Sequence, residues 1–434
     1  MTTSIYARRR QDLMQLMVEG AAVIPTAALS RRNGDIDHPY RPDSDFYYLT
    51  HFPEPEAVAI LIPNRKEGEF LLFCRSSDPE KEKWDGPRIG LTRALDHFGA
   101  DQAFPIDELE DRLPQLLENQ KKVHCFLGRY PDFDARLISA INQVKGKIRS
   151  GTGAPSGLAD LGYLVHELRL FKQPAEVKLM RKAAKISAEA HLRAIKTCKP
   201  GMTEYQLQAE VEYVFRNRGG LPSSYPPIVA GGANACTLHY IDNKDTLRDG
   251  ELVLIDAGAE VDCYASDITR TFPVNGYFSP AQRQLYDLVL AAHKAAVKAI
   301  KPGNHWNDPH VAATRVLAAG LIDLGLIDGP LEIALEEEHY RRFYMHRTGH
   351  WLGMDVHDVG NYKVDGQWRV LEPGMVMTVE PGLYIPDEDD IEPCYRGIGI
   401  RIEDDLLVTA RGSEILSKGV PRKADAIEAL MASG

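Results

Sequence analysis

The first feature that could take part in chemistry is an apolar run that ends in an aspartate. Residues 252–256 read Leu-Val-Leu-Ile-Asp, which predicts a buried strand, and Gly258 then marks a turn. Asp267 follows eleven residues after Asp256. A strand, a tight turn and a returning strand would set the two aspartates side by side. Two dehydrated carboxylates repel each other, and a divalent cation is the commonest compensation. Either aspartate alone also fits an ordinary turn or surface residue.

The chain contains an internal repetition. An Ala-His pair is followed at the same spacing by Lys-Pro-Gly in residues 190–201 and again in residues 292–303. A second pattern occurs in residues 250–258 and again in residues 374–382. In both, a glycine is followed by five residues, a carboxylate, one further residue and a second glycine. In each half a second carboxylate comes later, so the four are Asp256, Asp267, Glu380 and Glu403. We infer two duplicated halves, related by approximate two-fold symmetry, that bring these carboxylates together.

Histidines crowd one short segment. Three of them occur within twelve residues flanked by glycines, and a fourth precedes the first carboxylate strand; they are His346, His350, His357 and His239. A lone histidine is usually an ordinary polar residue, but this density indicates a site. Four carboxylates with one imidazole favour Mn, Fe, Co or Zn over Mg or Ca.

Composition limits the possible functions and locations. With 434 residues the chain predicts two domains, and its net charge of −11 argues against a nucleic-acid partner. No apolar run approaches 18 residues, so we expect no membrane span, and we expect no signal peptide. Six scattered cysteines fit a reducing compartment better than disulfides, which predicts a cytoplasmic protein.

The elements that must position these residues fall into two domains. We predict a mixed α/β N-terminal domain over residues 1–170 and a catalytic domain over residues 171–434, an α/β (α+β) fold overall. Expected helices cover residues 5–19, 104–119 and 133–145, and expected strands cover Ala21–Ile24, Phe46–Thr50, Ala57–Ile62, Phe70–Cys74 and Val123–Leu127. A long helix should begin at Pro174 with an apolar stripe.

Five motifs together resemble a known family. They are L-I-D-A-G at 254–258, S-D-I-T-R-T-F-P at 266–273, G-H-W-L-G-M-D-V-H-D at 349–358, T-V-E-P-G-L-Y at 378–384 and G-I-R-I-E-D-D at 399–405. These motifs resemble the dinuclear metallopeptidases of the pita-bread fold, family M24, and within them most resemble the Xaa-Pro aminopeptidases (aminopeptidase P). The resemblance covers nearly the whole chain. His51 departs from it, since a glycine is common at that position.

The resemblance implies two divalent ions, usually manganese, and assigns ligands by position. The implied ligands are Asp256, Asp267, His350, Glu380 and Glu403, with Asp267 and Glu403 bridging the ions. It further implies that a hydroxide bridging the metals attacks the peptide carbonyl. The N-terminal residue would then leave from peptides with proline at the second position, and the family is often tetrameric.

Other side chains receive roles from this resemblance. Glu380 would accept the proton of water, His357 would stabilise the oxyanion, and His239 would contact substrate and assist the departing proline nitrogen. Arg401 would position the bridging carboxylate or bind substrate. The expected substrate contacts are His346, Tyr384, Trp84 and Arg149; Arg401 and Tyr384 also fit a purely supporting role.

Several rival functions share this fold. A prolidase, which cleaves Xaa-Pro dipeptides, shares all five ligands and differs in its N-terminal domain, assembly and peptide length. A methionine aminopeptidase needs no N-terminal domain of 170 residues. A non-catalytic binding module, or a creatinase-like hydrolase, would lack part of the ligand set, which is complete here.

Overall fold

The computed structural model describes residues 4–220 and 223–433. It divides into two compact units, Met1–Leu168 and Arg169–Gly434, each with its own buried apolar core. Across these described ranges, no helix combines the length and the apolar character that crossing a membrane requires.

Helices and strands alternate along the first part of the chain. The helices are α1 (Ile5–Met17), α2 (Ser44–Thr50), α3 (Pro79–Asp85), α4 (Gly90–Asp96), α5 (Leu109–Leu117), α6 (Pro131–Gly146) and α7 (Gly162–Leu170). The strands are β1 (Ala21–Pro25), β2 (Arg31–Asn33), β3 (Ile36–Asp37), β4 (Val58–Leu61), β5 (Phe70–Cys74), β6 (Gln102–Pro105), β7 (Lys122–Cys125) and β8 (Gly157–Asp160).

One mixed sheet carries the core of the first unit. Its strand order is β6-β5-β4-β1-β7-β8, with β4 antiparallel to both neighbours and the other pairs parallel. Every residue of β1, β4 and β5 is buried, and apolar side chains of α5 and α6 join the same core. The mixed α/β character and the expected strands β1, β4, β5 and β7 are confirmed, as are the expected helices α1 and α6.

The strand predicted at Phe46–Thr50 is wrong, because these residues belong to helix α2. Asp43 caps the helix by accepting the N–H of Phe46 at 2.9 Å. His51 ends it in the left-handed region at φ 59°, which explains why glycine suits this position. All seven residues of α2 are buried, so the segment shows no polar face and its apolar run looks like a buried strand.

The helix predicted over residues 104–119 is correct only in its second part. Its first residues belong to strand β6, which pairs in parallel with β5, and the helix α5 begins at Leu109. Pairing with β5 overrides the local helical pattern there, which is a tertiary effect.

The second unit contains the remaining elements. Its helices are α8 (Pro174–Thr197), α9 (Glu204–Arg218), α10 (Pro280–Ala299), α11 (Asp308–Asp323), α12 (Leu331–Glu336) and α13 (Ala424–Ala432). Its strands are β9 (Ile228–Gly231), β10 (Leu252–Asp256), β11 (Glu260–Val261), β12 (Tyr264–Ala265), β13 (Thr269–Pro273), β14 (Lys363–Val364), β15 (Gln367–Trp368), β16 (Val376–Val379), β17 (Gly382–Ile385), β18 (Ile398–Arg401), β19 (Asp404–Thr409) and β20 (Gly412–Ile415).

The two halves of the second unit share their local architecture. Helix α8 packs on α9, and α10 packs on α11. After each first helix, a Lys-Pro-Gly turn donates its glycine N–H to a leucine carbonyl, Gly201 to Leu247 at 2.9 Å and Gly303 to Leu371 at 3.1 Å. Sheets of order β13-β10-β9 and β16-β19-β20 follow in the two halves. The repetition in the sequence therefore corresponds to a repetition in structure.

Candidate metal centre

The first half positions two aspartates at one end of a strand pair. Asp256 is the last residue of β10, and Asp267 lies just before the antiparallel β13. Gly258 allows the turn between them, because a Cβ there would lie 1.7 Å from the carbonyl oxygen of Ser266. The hydroxyl of Tyr225 lies 2.5 Å from Asp256 Oδ1 and also contacts Asp267 Oδ1. The two carboxylates therefore lie side by side, as the strand–turn–strand pattern predicts.

The second half adds two glutamates and a histidine. Glu380 follows β16 directly, and Glu403 lies between β18 and β19. His350 Nε2 lies 3.4 Å from Asp267 Oδ2 and 3.6 Å from Glu380 Oε1. Single ligand atoms of Asp267, His350 and Glu403 all lie within 4.8 Å of one another. The fold thus collects the five side chains that the family resemblance implies as ligands.

Neighbouring groups fix the orientation of these side chains. His350 Nδ1 lies 2.9 Å from the carbonyl oxygen of Trp351, which leaves Nε2 directed at the carboxylates. Gly349 brings the histidine backbone close to β16, because a Cβ there would lie 2.1 Å from the carbonyl oxygen of Thr378. The hydroxyl of Thr269 donates to Glu403 Oε2 at 2.6 Å. Each of these contacts orients a residue that the family resemblance implies as a ligand.

Arg401 is buried and its donors are occupied within the site. Its Nη2 donates to Asp256 Oδ2 at 2.6 Å, its Nη1 to Tyr384 Oη at 2.9 Å, and its Nε to Thr269 Oγ1 at 3.1 Å. This geometry favours a role in holding Asp256 over direct binding of substrate.

The electrostatics of the cluster show an excess of buried negative charge. Burial raises the pKa of Asp256, raises the pKa of Glu380 to about 7, and raises that of Glu403 well above its ordinary value, with the neighbouring carboxylates adding to the effect. Burial opposes ionisation of Asp267 too, but the hydrogen bond and charge of His350 outweigh it and lower its pKa. Burial lowers the pKa of His350, yet Asp267 and Glu380 raise it to about 9 overall.

These residues fit a divalent cation. The Tyr225 hydroxyl has one proton to share between two carboxylates, so one of its two acceptors lacks a full donor. Buried carboxylates whose ionisation is penalised in this way are stabilised by a cation. Arg401 pairs with Asp256 alone, and in the described part of the chain no lysine or arginine forms an ion pair with the other three carboxylates. Carboxylates with a single imidazole form a donor set suited to Mn, Fe, Co or Zn.

A cavity of about 590 Å³ opens over the cluster, and three further histidines line it. The ring of His357 meets that of His350 edge to face at 4.4 Å between centroids. His346 lies with Nδ1 at 3.8 Å from Glu380 Oε2 and Nε2 at 2.9 Å from Tyr384 Oη. His239 lines the cavity from the segment before β10, beside the apolar side chains of Leu238 and Ile241.

The other two residues predicted to bind substrate belong to the first unit. Trp84 is 88% exposed on α3, and Arg149 is exposed in a short 3-10 turn after α6. Their roles stay predictions.

The sequence analysis did not identify Tyr225 or Asp405. Tyr225 stands in a Ser-Ser-Tyr-Pro-Pro loop, where nothing in the residue types indicates a contact with two distant aspartates. Asp405, which is fully buried, accepts the backbone N–H of Asp267 at 3.1 Å. A run of three acidic residues at 403–405 was the only available signal.

Comparison with known proteins places both parts of the chain. The model of "Metallopeptidase family M24" matches residues 178–410, and that of "Aminopeptidase P, N-terminal domain" matches residues 6–125. An Xaa-Pro aminopeptidase of Escherichia coli is 44% identical over 428 residues, covering 98% of this chain and 97% of that protein.

Solved structures give the same result. Aminopeptidase PepP of Pseudomonas aeruginosa superposes with a TM-score of 0.98 at 54% identity, covering 100% of this chain and 98% of that one. A zinc-substituted E. coli aminopeptidase P in complex with product superposes with a TM-score of 0.96 at 43% identity, covering 100% and 99%.

Proposed function

The chain belongs to metallopeptidase family M24, and we propose that it is an Xaa-Pro aminopeptidase, which releases the N-terminal residue from peptides with proline at the second position. The observation that carries this proposal is the convergence of three buried carboxylates, the partly buried Glu380 and His350 on the lining of one cavity. Full-length similarity to Xaa-Pro aminopeptidases, including the N-terminal domain, supports the substrate class.

A divalent metal serves the reaction, and we propose two ions held by Asp256, Asp267, His350, Glu380 and Glu403. Single ligand atoms of Asp267, His350 and Glu403 lie within 4.8 Å of one another, which supports these three residues as holding a common ion. Bound ions of this kind act as Lewis acids and lower the pKa of water toward neutrality.

Glu380 is our candidate for handling the proton of the attacking water. Its Oε1 faces His350, and its Oε2 faces His346 on the cavity side. One carboxylate oxygen can therefore serve as a ligand while the other takes up a proton and returns it.

Two histidines act on the peptide bond in this proposal. His357 lines the cavity next to His350, where its N–H can donate to the oxygen on which negative charge develops. His239 lines the cavity from another segment and would pass a proton to the proline nitrogen, which must gain one to leave. Their separate positions allow one group to stabilise charge and the other to protonate the leaving group.

The proline ring has a fixed φ and carries no N–H, so its recognition must come from shape. We propose that His346 forms one wall of the proline pocket, with the buried Tyr384 behind it at 2.9 Å from His346 Nε2. Tyr384 is held in turn by Arg401. Trp84 and Arg149 remain proposed substrate contacts from the first unit.

The identity of the metal, the assembly and the location are proposed from the family resemblance. We propose manganese as the metal, a homotetramer as the assembly and the cytoplasm as the location. Size-exclusion chromatography with light scattering would test the assembly, and elemental analysis of protein purified without added metal would test the ion.

The decisive experiment compares Xaa-Pro-Ala tripeptides with Xaa-Pro dipeptides and Xaa-Ala-Ala controls. We expect release of the first residue from the proline tripeptides, loss of activity after chelation and recovery with Mn²⁺. Cleavage of dipeptides alone would instead identify a prolidase, and cleavage of none of these peptides would reject both activities.

A further inference from the structure

The cavity is lined by two arginines of very different character. Among its described lining residues, Arg401 is buried and bound to Asp256 and Tyr384, so its charge is already compensated. Arg347 is exposed at the edge of the same cavity. It is therefore the lining arginine that can still meet a ligand.

Arg347 is oriented by neutral partners. Its Nη1 donates to Asn307 Oδ1 at 2.9 Å, and its guanidinium lies 5.4 Å from the ring centroid of Trp368. Within residues 4–220 and 223–433, no carboxylate forms an ion pair with it. An amide and an aromatic face hold a guanidinium in place without neutralising it.

Nearby arginines of the same segment behave differently. Arg341 pairs with Glu338 at 2.7 Å, and Arg342 pairs with Asp390 at 2.8 Å. In a protein of net charge −11, acidic partners are plentiful. Arg347 therefore differs from these neighbours, because no carboxylate of the described residues lies within ion-pair distance of it.

A second cation strengthens the positive potential at this edge. Lys363 Nζ lies 4.5 Å from the centroid of the same Trp368 ring. Lys363 belongs to β14 and is the cross-strand partner of Trp368 on β15. Arg347 and Lys363 thus flank one indole beside the cavity, where their combined field attracts an anionic group.

The position of Arg347 along the substrate follows from its neighbour. His346 lies by Glu380 and Tyr384, in the proposed proline pocket. Arg347 is the next residue and lies farther out, at the exposed edge. An extended peptide advances about 3.3–3.6 Å per residue, so the residue after proline would pass the guanidinium.

The geometry points to Arg347 as a specificity-determining residue that binds the C-terminal carboxylate of short peptide substrates, above all Xaa-Pro-Xaa tripeptides. This inference rests on the proposed aminopeptidase activity and adds a selection by peptide length and C-terminal charge. The planar fork of a guanidinium matches a carboxylate, and the pair forms in ground state and transition state alike. Its contribution should therefore appear in KM, with kcat nearly unchanged.

The test compares an Xaa-Pro-Ala tripeptide with its C-terminal amide. In the wild-type enzyme we expect kcat/KM to be about fivefold higher for the free acid, the upper range for a partly exposed ion pair. Arg347→Met should remove this preference through a higher KM for the acid, and Arg347→Lys should retain part of it. Raising the ionic strength should weaken the preference of the wild type.

Arg342→Met is the matched control, since it removes a paired and exposed arginine from the same segment. It should keep the preference of the wild type. Equal turnover of acid and amide by the wild type, or a preference that survives in Arg347→Met, would overturn the inference while leaving the aminopeptidase activity standing. Hydrolysis of neither peptide would reject the activity itself.

Discussion

Two consecutive residues, Glu403 and Asp404, belong to two buried charge clusters of opposite balance. Glu403 faces Asp256, Asp267 and Glu380, and burial with these neighbours raises its pKa well above the ordinary range. We call this group, with His350, the acidic cluster. Asp404 faces the other way, and Arg270, His293 and Arg422 hold its pKa well below the ordinary value despite complete burial.

The cluster around Asp404 supplies its own cations. Arg270 Nη2 lies 2.8 Å from Asp404 Oδ1, Arg422 Nη1 lies 2.9 Å from Oδ2, and Ser417 also donates to Oδ1. Arg270 further donates to the backbone carbonyl of Glu403 at 2.6 Å, so this compensated cluster holds the strand that carries the acidic one. Asp404 thus receives its compensation from the protein, whereas in the acidic cluster Arg401 pairs only with Asp256, and we propose that a metal ion compensates the remaining carboxylates.

The largest expected effect is the loss of activity when one charge is removed from the acidic cluster. Asp267→Asn keeps the shape of the side chain but removes one negative charge next to His350 and Glu403. We expect turnover of the proline tripeptide to fall below detection, with an unchanged circular dichroism spectrum. Asp287→Asn, in an exposed pair with Arg283, should keep full activity. Normal turnover and metal content in Asp267→Asn would mean that the centre lies elsewhere.

The same substitution in the compensated cluster should act on stability. Asp404→Asn leaves Arg270 buried without its counter-charge, which costs about 3–5 kcal/mol. Urea unfolding of the metal-free protein would measure this loss.

Asp405→Asn is the matched neighbour for that experiment. Burial raises the pKa of Asp405 well above its ordinary value, which disfavours the charged form, and an amide of the same shape replaces the carboxyl group closely. We expect a loss of at most about 1.5 kcal/mol. Equal destabilisation by the two substitutions would contradict the distinction between the clusters.

Metal binding should stabilise the folded protein only through the acidic cluster. At a free Mn²⁺ concentration 100 times its Kd, the folded wild type should gain about 2.7 kcal/mol. Glu403→Gln should lose most of this gain, yet unfold like the wild type once both are chelated, because the metal-free pocket already favours a neutral side chain there. A chelated variant much less stable than chelated wild type would argue for a structural role of the Glu403 charge. Thermal unfolding with and without chelator distinguishes these outcomes.

A smaller effect concerns acid stability at a second compensated site. Burial opposes ionisation of Asp358, but Lys172 at 2.8 Å and Arg169 lower its pKa below the usual 3.8. A lowered pKa in the folded state means that the unfolded chain binds more protons on acidification. The stability advantage of wild type over Asp358→Asn should therefore be full above pH 3.8 and shrink below it. A difference in unfolding free energy that stays constant on acidification would show that the charge of Asp358 is not involved.

Much of the fold could be predicted because it depends on local patterns. The apolar run of β10 and the stripe of α8, with Val177, Met180 and Ala184 buried, both follow from residue periodicity. The segment Phe46–Thr50 could not be assigned from periodicity, because a helix buried on every side shows no polar face. Its caps at Asp43 and His51 decide the outcome.

The candidate site could be predicted to a similar degree. The repeated Gly-carboxylate-Gly pattern and the dense histidines indicated the residues that the structure collects around one cavity. The contact of Tyr225 with two aspartates was not predictable, since it joins residues 31 and 42 positions apart through a loop without a pattern.

Apolar periodicity and hydrogen-bonded turns act over a few residues, so strands such as β10, with the carboxylate at its end, can be predicted from the sequence alone. Only the tertiary structure decided which of those carboxylates would receive a cation from the protein. Glu403 and Asp404 are neighbours in the chain, but Glu403 contacts Thr269 and Asp404 contacts Arg270, and each of these partners lies 134 positions away. Whether the protein compensates the charge of a buried carboxylate depends on these long-range contacts. The chemistry that the site can carry out depends in turn on which carboxylates are left without that compensation.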